Sequence, residues 1–220
     1  MCDDQRKQAR AMARDYIARG DALGWFEALY AAAAGDASVV PWADLAPNPH
    51  LVKWLNDRKV VGTGRALVVG CGLGDDAEEL AKRGFTVTAF DLAPSAIAWC
   101  EKRFPNSRVK YIAADLLNPP ATWRRSFDFV FEAYTLQAMP LDLRPQAMTS
   151  LAGFLREPGE LLVICRGRLS DEPLSEVPWP LTRDELDRLT RDAGLKQRTF
   201  EEFFDDEEPP VRRFRALYGL

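Results

Sequence analysis

The chain has 220 residues, with 29 Lys plus Arg against 33 Asp plus Glu and a formal net charge of −4. That balance discourages a nucleic-acid or anionic-membrane partner held mainly by charge, and 47% hydrophobic residues suffice for the core of one ordinary domain with decoration. The single histidine, His50, leaves little from which to build a Ser-His-Asp triad or a histidine-rich metal site.

No apolar run approaches the ~18 residues of a membrane span, and the N-terminus lacks the apolar core of a secretory signal. A cytoplasmic protein without a membrane partner is therefore expected. Cys2, Cys71, Cys100 and Cys165 form no CxxC pair, which argues against a disulfide framework and a zinc knuckle and predicts reduced thiols and no metal.

In chain order, Asp3 to Arg19 reads as an amphipathic helix, with Ala11, Ala13, Tyr16, Ile17 and Ala18 set among basic residues. Gly24 to Leu55 is aromatic and proline-marked and predicts short helices joined by ordered turns. From Arg65 the rhythm changes. Ala66–Val69, Thr86–Phe90, Val109–Ala113, Phe127–Phe131 and Leu161–Cys165 read as strands buried on both faces. Helical patterns lie between them at Asp75–Arg83, Pro94–Phe104 and Leu143–Leu155, with Pro94 and Gly84 as start and stop signals. This alternation implies an α/β fold, doubly wound around a mostly parallel sheet. A last helix is expected over Thr182–Ala193, opened by a Thr182/Glu185 capping box. Lys196–Phe204 and Arg212–Tyr218 then flank an acidic turn and suggest an edge hairpin.

The chemistry concentrates after the first strand. Gly70-Cys71-Gly72-Leu73-Gly74-Asp75 leaves a strand and opens a helix, the setting in which glycines let backbone approach a ligand. Asp91 closes the second strand, where a carboxylate can bind a ribose diol. A dinucleotide would set its pyrophosphate against the helix start, but Asp75 and Asp76 would face that anion with two negative charges. S-adenosylmethionine carries an ammonium and a sulfonium instead, and tolerates acids there. Helix capping by the two aspartates is compatible with either ligand.

The run VVGCGLG, Asp91 in AFDLAPSAI, Asp115 in AADLL, and FDFVFEAYTL, in that order, resemble the class I S-adenosylmethionine-dependent methyltransferases over about Arg65 to Arg166. The resemblance implies a Rossmann-like seven-stranded sheet ending in an antiparallel hairpin. It also implies that Gly70, Gly72 and Gly74 pass under the methionine part of the cofactor, that Asp91 holds the ribose hydroxyls, that Asp115 with Leu116 meets the adenine, and that Asp75 and Leu92 also belong to the cofactor site. The N-terminal GWFEALYAAAAGDASVVPWADLAPNPHLVKWL is similar to the thiopurine and thiol or halide methyltransferase branch, in which a Gly-Trp, a Pro-Trp and an apolar helix form a lid. Trp25 and Trp42 match. Where that branch often has a further tryptophan, this chain has Leu29 and Tyr30. By this resemblance residues 1–60 form an N-terminal helical lid segment within the same domain, and residues 61–220 form the methyltransferase domain.

The expected reaction is methyl transfer to a small-molecule acceptor by in-line displacement, and the scarcity of histidine favours a thiol, halide or other soft or anionic nucleophile that needs no strong base. Tyr134 and Glu132, at the end of the fourth strand, are the candidate catalytic groups. Trp25, Trp42, Tyr134, Arg168 and Trp179 are the candidate acceptor contacts, the tryptophans through the cation–π attraction of an aromatic face for a sulfonium. Simple packing is the alternative for each aromatic residue. A non-catalytic S-adenosylmethionine sensor, a macromolecule methyltransferase and a nicotinamide-dependent oxidoreductase remain the competing classes. A monomer or weak homodimer is expected. Asn118-Pro119-Pro120 reads as a loop breaker rather than a DNA-methyltransferase signature, and Cys71 as a small packing residue.

Overall fold

The structure is a computed structural model, and it describes residues 2–174 and 176–220; the side chain of Cys2, expected as a reduced thiol, lies outside the described residues. Helices α1 (Cys2–Ala18), α2 (Trp25–Ala33) and α3 (Pro49–Asp57) precede strand β1 (Arg65–Val69). There follow α4 (Asp75–Lys82), β2 (Thr86–Asp91), α5 (Pro94–Arg103), β3 (Lys110–Ala113), β4 (Phe127–Ala133), α6 (Arg144–Phe154) and β5 (Leu155–Arg166). Short helices α7 (Arg183–Leu186) and α8 (Arg188–Arg191) lead to β6 (Lys196–Phe204) and β7 (Arg212–Gly219). Among the described residues the strands form one seven-stranded sheet in the order β3-β2-β1-β4-β5-β7-β6. The pairs β2/β3, β1/β4 and β4/β5 are parallel, and β7 runs antiparallel to both β5 and β6. No described helix is long and apolar enough to cross a membrane.

The described chain divides into two compact units, one of residues 1–62 and 70–115, the other of residues 63–69 and 116–220. In the first, α5 packs on β2, β3 and α2, and α4 packs on β2. Leu80, Ala89, Phe90, Ala93, Ala96 and Cys100 form its buried centre. Pro94 occupies the first turn of α5, where its missing N–H costs nothing. In the second unit Phe127, Val130 and Phe131 of β4 and Leu161 to Cys165 of β5 are almost wholly screened from water. Their β-branched and aromatic side chains suit strands covered on both faces.

Three local expectations change. Strand β3 ends its sheet order, and its residues are half-buried or exposed rather than buried on both faces. The strand expected over Leu161–Cys165 begins at Leu155, and helix α6 ends one residue earlier. The helix expected over Thr182–Ala193 breaks at Asp187 into α7 and α8, although the Thr182/Glu185 capping box is formed. The expected edge hairpin forms, with β6 as the edge strand and β7 joining it to β5.

Candidate functional site

In the first unit the glycine turn is shaped by backbone that other residues adopt poorly. Gly72 has φ +52° and Gly74 φ +92°, both in the left-handed region. A Cβ on Gly74 would lie 2.7 Å from the Tyr111 hydroxyl and 3.1 Å from Cys100 Sγ. The turn is bound to the end of β2. The Cys71 N–H donates to the Phe90 carbonyl at 2.9 Å, and the Gly72 N–H donates to Asp91 Oδ2 at 2.9 Å. The other oxygen of Asp91 accepts from the Ala93 N–H at 3.0 Å. Burial pushes the Asp91 carboxyl up to about 6 even though these N–H groups favour its ionised form. The Ala114 N–H donates to the Asp91 carbonyl at 2.9 Å, which sets the chain leading into Asp115 beside Asp91. Leu92 and Asp115 are half-buried and Leu116 is buried.

The acidic start of α4 is used for fastening, and neither aspartate caps its own helix; the N-cap is Gly74. Asp75 receives both Arg103 amines, at 2.8 and 2.9 Å. Asp76 Oδ1 accepts the Asn48 N–H at 2.6 Å, tying the start of α3 to α4, and burial raises its carboxyl to about 6. Arg103 also donates to the Leu73 carbonyl, so it holds the turn as well as the helix start. His50 lies in the first turn of α3, where its backbone N–H donates to the Asn48 side chain.

Aromatic residues of the N-terminal segment gather near the same turn. Trp25 stacks on Phe26 at 3.9 Å between centroids and meets Trp42 edge-on at 5.8 Å. The Trp42 indole N–H donates to the Tyr30 hydroxyl at 2.7 Å. A Cβ on Gly72 would lie 3.2 Å from that hydroxyl. Trp25 is buried with its Nε1 unmatched by any hydrogen-bond partner, whereas Trp42 is 39% exposed. Glu27 secures α2 to the start of α5 by accepting from the Ser95 N–H at 3.0 Å and hydroxyl at 2.6 Å. Cys71 and Cys100, remote in sequence, are brought to the same turn, where the Cys100 thiol donates to the Gly72 carbonyl at 3.1 Å. Those two and Cys165 are free thiols.

The second unit holds the remaining candidates. Glu132 is 0% exposed, and its Oε1 accepts the N–H groups of Thr135 and Leu136 at 2.7 and 2.9 Å, organising the turn after β4. Its Oε2 is buried without a hydrogen-bond partner. Burial raises the carboxyl to about 7 against the N–H bonds and the Arg144 charge. Tyr134 is half-buried, has φ +67°, and carries the Arg213 guanidinium 5.1 Å above its ring. A non-glycine residue held in the left-handed region costs about 1 kcal/mol or more, and such strain collects where a side chain must be aimed.

Arg168 and Trp179 are committed to loop architecture. Arg168 donates to the carbonyls of Pro180, Leu169 and Glu172 and reaches Glu185 at 3.4 Å. The Trp179 N–H donates to the Gln137 carbonyl at 2.7 Å, and its own carbonyl accepts from Arg144 at 2.7 Å. Arg144, 2% exposed, also donates to Glu185 at 2.6 Å and to the Met139 carbonyl at 3.3 Å. Sequence reasoning passed over Tyr30, Arg103, Gln137 and Arg144. Tyr30 falls on the buried face of α2 with Trp25 and Leu29, a periodicity that could have found it; the others had no sequence signal.

The strand order and the glycine turn after β1 define the class I methyltransferase fold, and residues 66–159 match the methyltransferase domain family. A solved structure similar to the chain is the Burkholderia thailandensis 1,6-didemethyltoxoflavin-N1-methyltransferase with bound S-adenosylhomocysteine. Its TM-score is 0.70 at 18% identity, covering 94% of this chain and 89% of that one. Within that class the chain resembles the thiol methyltransferase branch. It is 28% identical to thiocyanate methyltransferase 1 of Arabidopsis thaliana over 59% of this chain and 57% of the relative, and so spans little more than half of that protein's length. It is 27% identical to probable thiol methyltransferase 2 of the same plant over 73% of this chain and 71% of the relative.

Proposed function

We propose that the chain is an enzyme that transfers the methyl group of S-adenosylmethionine to a small-molecule acceptor with a soft or already anionic attacking atom, a thiol first of all. The observation that carries this reading is the left-handed glycine turn bound through Gly72 to a buried Asp91 carboxylate. A buried indole N–H without a partner and an exposed tryptophan face lie in the same unit. The names of the two plant relatives support the acceptor class.

When bound, S-adenosylmethionine supplies an electrophilic methyl carbon on a sulfonium. The residues of this chain bind and orient it. Asp91 accepts the ribose hydroxyls, the backbone of Gly70, Gly72 and Gly74 passes beneath the methionine part, and Leu92, Asp115 and Leu116 meet ribose and adenine. Asp75 acts through Arg103, which holds the turn in place. Trp25 and Trp42 screen the sulfonium from water and offer it their π faces. On the acceptor side Tyr134 is the contact. Glu132, sealed from solvent, is a positioning residue that fixes the turn carrying Tyr134, and Arg168 and Trp179 shape the loop beside it.

Methyl transfer to a thiol forms the acceptor S–CH3 bond as the methyl–sulfonium bond breaks, and the thiol proton leaves to solvent. The thiolate attacks without a residue acting as base. The protein's contribution is alignment and exclusion of water. Calorimetric titration with S-adenosylmethionine and NAD, followed by release of S-adenosylhomocysteine with thiols, halides, phenols and amines, tests the reading. Binding of the sulfonium compound and turnover of thiols is the expected result. Binding of NAD alone would overturn the reading, and binding of S-adenosylmethionine without turnover of any acceptor would favour a sensor.

A further inference from the structure

Within the second unit, Arg166 and Arg213 face each other across the β5/β7 ladder. Directly opposed residues of an antiparallel pair project from the same face, where like charges repel. Carboxylates from the turn between β6 and β7 answer them. Asp205 Oδ2 takes the Nε–H of Arg213 at 2.6 Å. Glu207 bridges the two cations, paired with Arg213 and 3.2 and 3.4 Å from Arg166.

The two carboxylates differ in kind. Asp205 belongs to the framework: its side chain is 7% exposed, and its Oδ1 closes the turn by accepting the N–H groups of Glu207 and Val211 at 3.1 and 2.9 Å. Burial works against its ionised form, but those N–H bonds and the Arg213 guanidinium outweigh it and hold the carboxyl below its ordinary range. Glu207 is near the apex of the turn, with 38% of its side chain exposed. The Arg213 guanidinium that it contacts also lies over the Tyr134 ring, the proposed acceptor contact.

The geometry points to an anion subsite in which Arg166 and Arg213 receive the carboxylate of a small organic thiol acceptor, with Glu207 as an internal stand-in that the acceptor's carboxylate displaces. The planar donor forks of two arginines suit an oxyanion with two oxygens better than a spherical halide. A carboxylate already rests between these two, and its exposure lets it exchange with water and solute. The inference rests on the methyl-transfer reading for its reaction. The subsite itself is tested without turnover.

Calorimetric titration with propionate, an unreactive carboxylate, is performed on the wild-type protein, Glu207→Gln and Arg166→Gln, with S-adenosylmethionine titrated in parallel. Glu207→Gln is expected to bind propionate about tenfold more tightly than wild type, and Arg166→Gln about tenfold more weakly than wild type. S-adenosylmethionine affinity stays unchanged in both. In a methyl-transfer assay, Glu207→Gln lowers KM for 3-mercaptopropionate but not for the neutral 3-mercapto-1-propanol, with kcat nearly constant. Equal propionate binding in all three proteins, or equal KM shifts for the acidic and neutral thiols, would overturn the subsite while leaving the methyl-transfer reading intact. Failure to bind S-adenosylmethionine would overturn that reading, and the propionate arm would still decide the subsite.

Discussion

Gly72→Ala separates backbone strain from occlusion of the proposed cofactor turn. At φ +52° an alanine costs about 1–2 kcal/mol relative to a relaxed conformation. Its Cβ would also come to 3.2 Å from the Tyr30 hydroxyl, tighter than ordinary contact, and Tyr30 is held by Trp42. Gly20→Ala is the control. It has φ +83°, but a Cβ there meets nothing within 4 Å. For a chain of this length each kcal/mol lowers Tm by roughly 2–4 °C, so both variants should lose about 2–8 °C. Only Gly72→Ala should also lose S-adenosylmethionine affinity, by about tenfold or more, which corresponds to about 1.4 kcal/mol. Adding Tyr30→Phe removes the crowding oxygen and should restore part of the affinity while leaving the Tm loss in place. Scanning calorimetry and S-adenosylmethionine titration measure the two effects separately. If Gly72→Ala binds the cofactor as tightly as Gly20→Ala does, the turn is not where the methionine part lies.

Four further outcomes are expected. Asp91 titrates near 6 because it is buried, so S-adenosylmethionine affinity should fall as pH drops from 7 to 5, and Asp91→Asn should bind weakly with a flat profile; a flat wild-type profile would contradict the ribose role. The stability effect has the opposite sign. The folded pKa of Asp91 lies above the unfolded value of about 3.9, so the folded state holds the extra proton, and this group's contribution is present below about 4 and lost as pH rises through about 6; urea unfolding at pH 4.5 and 7 should show the Asp91→Asn gain growing with pH. Replacing the nearly inaccessible Arg144 by Met removes one cationic partner of Glu185 and a donor to two backbone carbonyls, at a cost of about 3 kcal/mol, and Arg144→Lys should recover little because one ammonium lacks the span of a guanidinium fork; a Tm change below 3 °C would show that the loop does not depend on it. Trp42→Ala, at a 39% exposed position, should leave Tm within about 2 °C but weaken S-adenosylmethionine binding several-fold. Equal binding by the variant would leave Trp42 only a packing role.

Much of the fold was legible in the chain because its signals are local. The apolar runs at Ala66–Val69 and Phe127–Phe131 mark central strands, since a strand covered on both faces has no need of polar alternation. Gly84, Pro94 and the Thr182/Glu185 pair mark element ends through backbone and capping chemistry that depends on near neighbours. The glycine turn and Asp91 were legible for the same reason, being fixed by strand-to-helix geometry.

What depended on tertiary structure involves partners far apart in sequence. The burial of β3 follows from its place at the end of the strand order, which its own four residues do not encode. Asp75 and Asp76 read locally as caps or cofactor neighbours, but their partners are Arg103, 28 positions on, and Asn48, 28 positions back. The clustering of Arg144, Gln137, Trp179 and Glu185, and the meeting of Arg166 with Arg213, follow from loop closure and strand register. Hydrophobic patterning and turn chemistry act over a few residues and so appear in sequence, whereas the pairing of a buried charge is chosen by whichever distant chain the packed core brings within 3 Å.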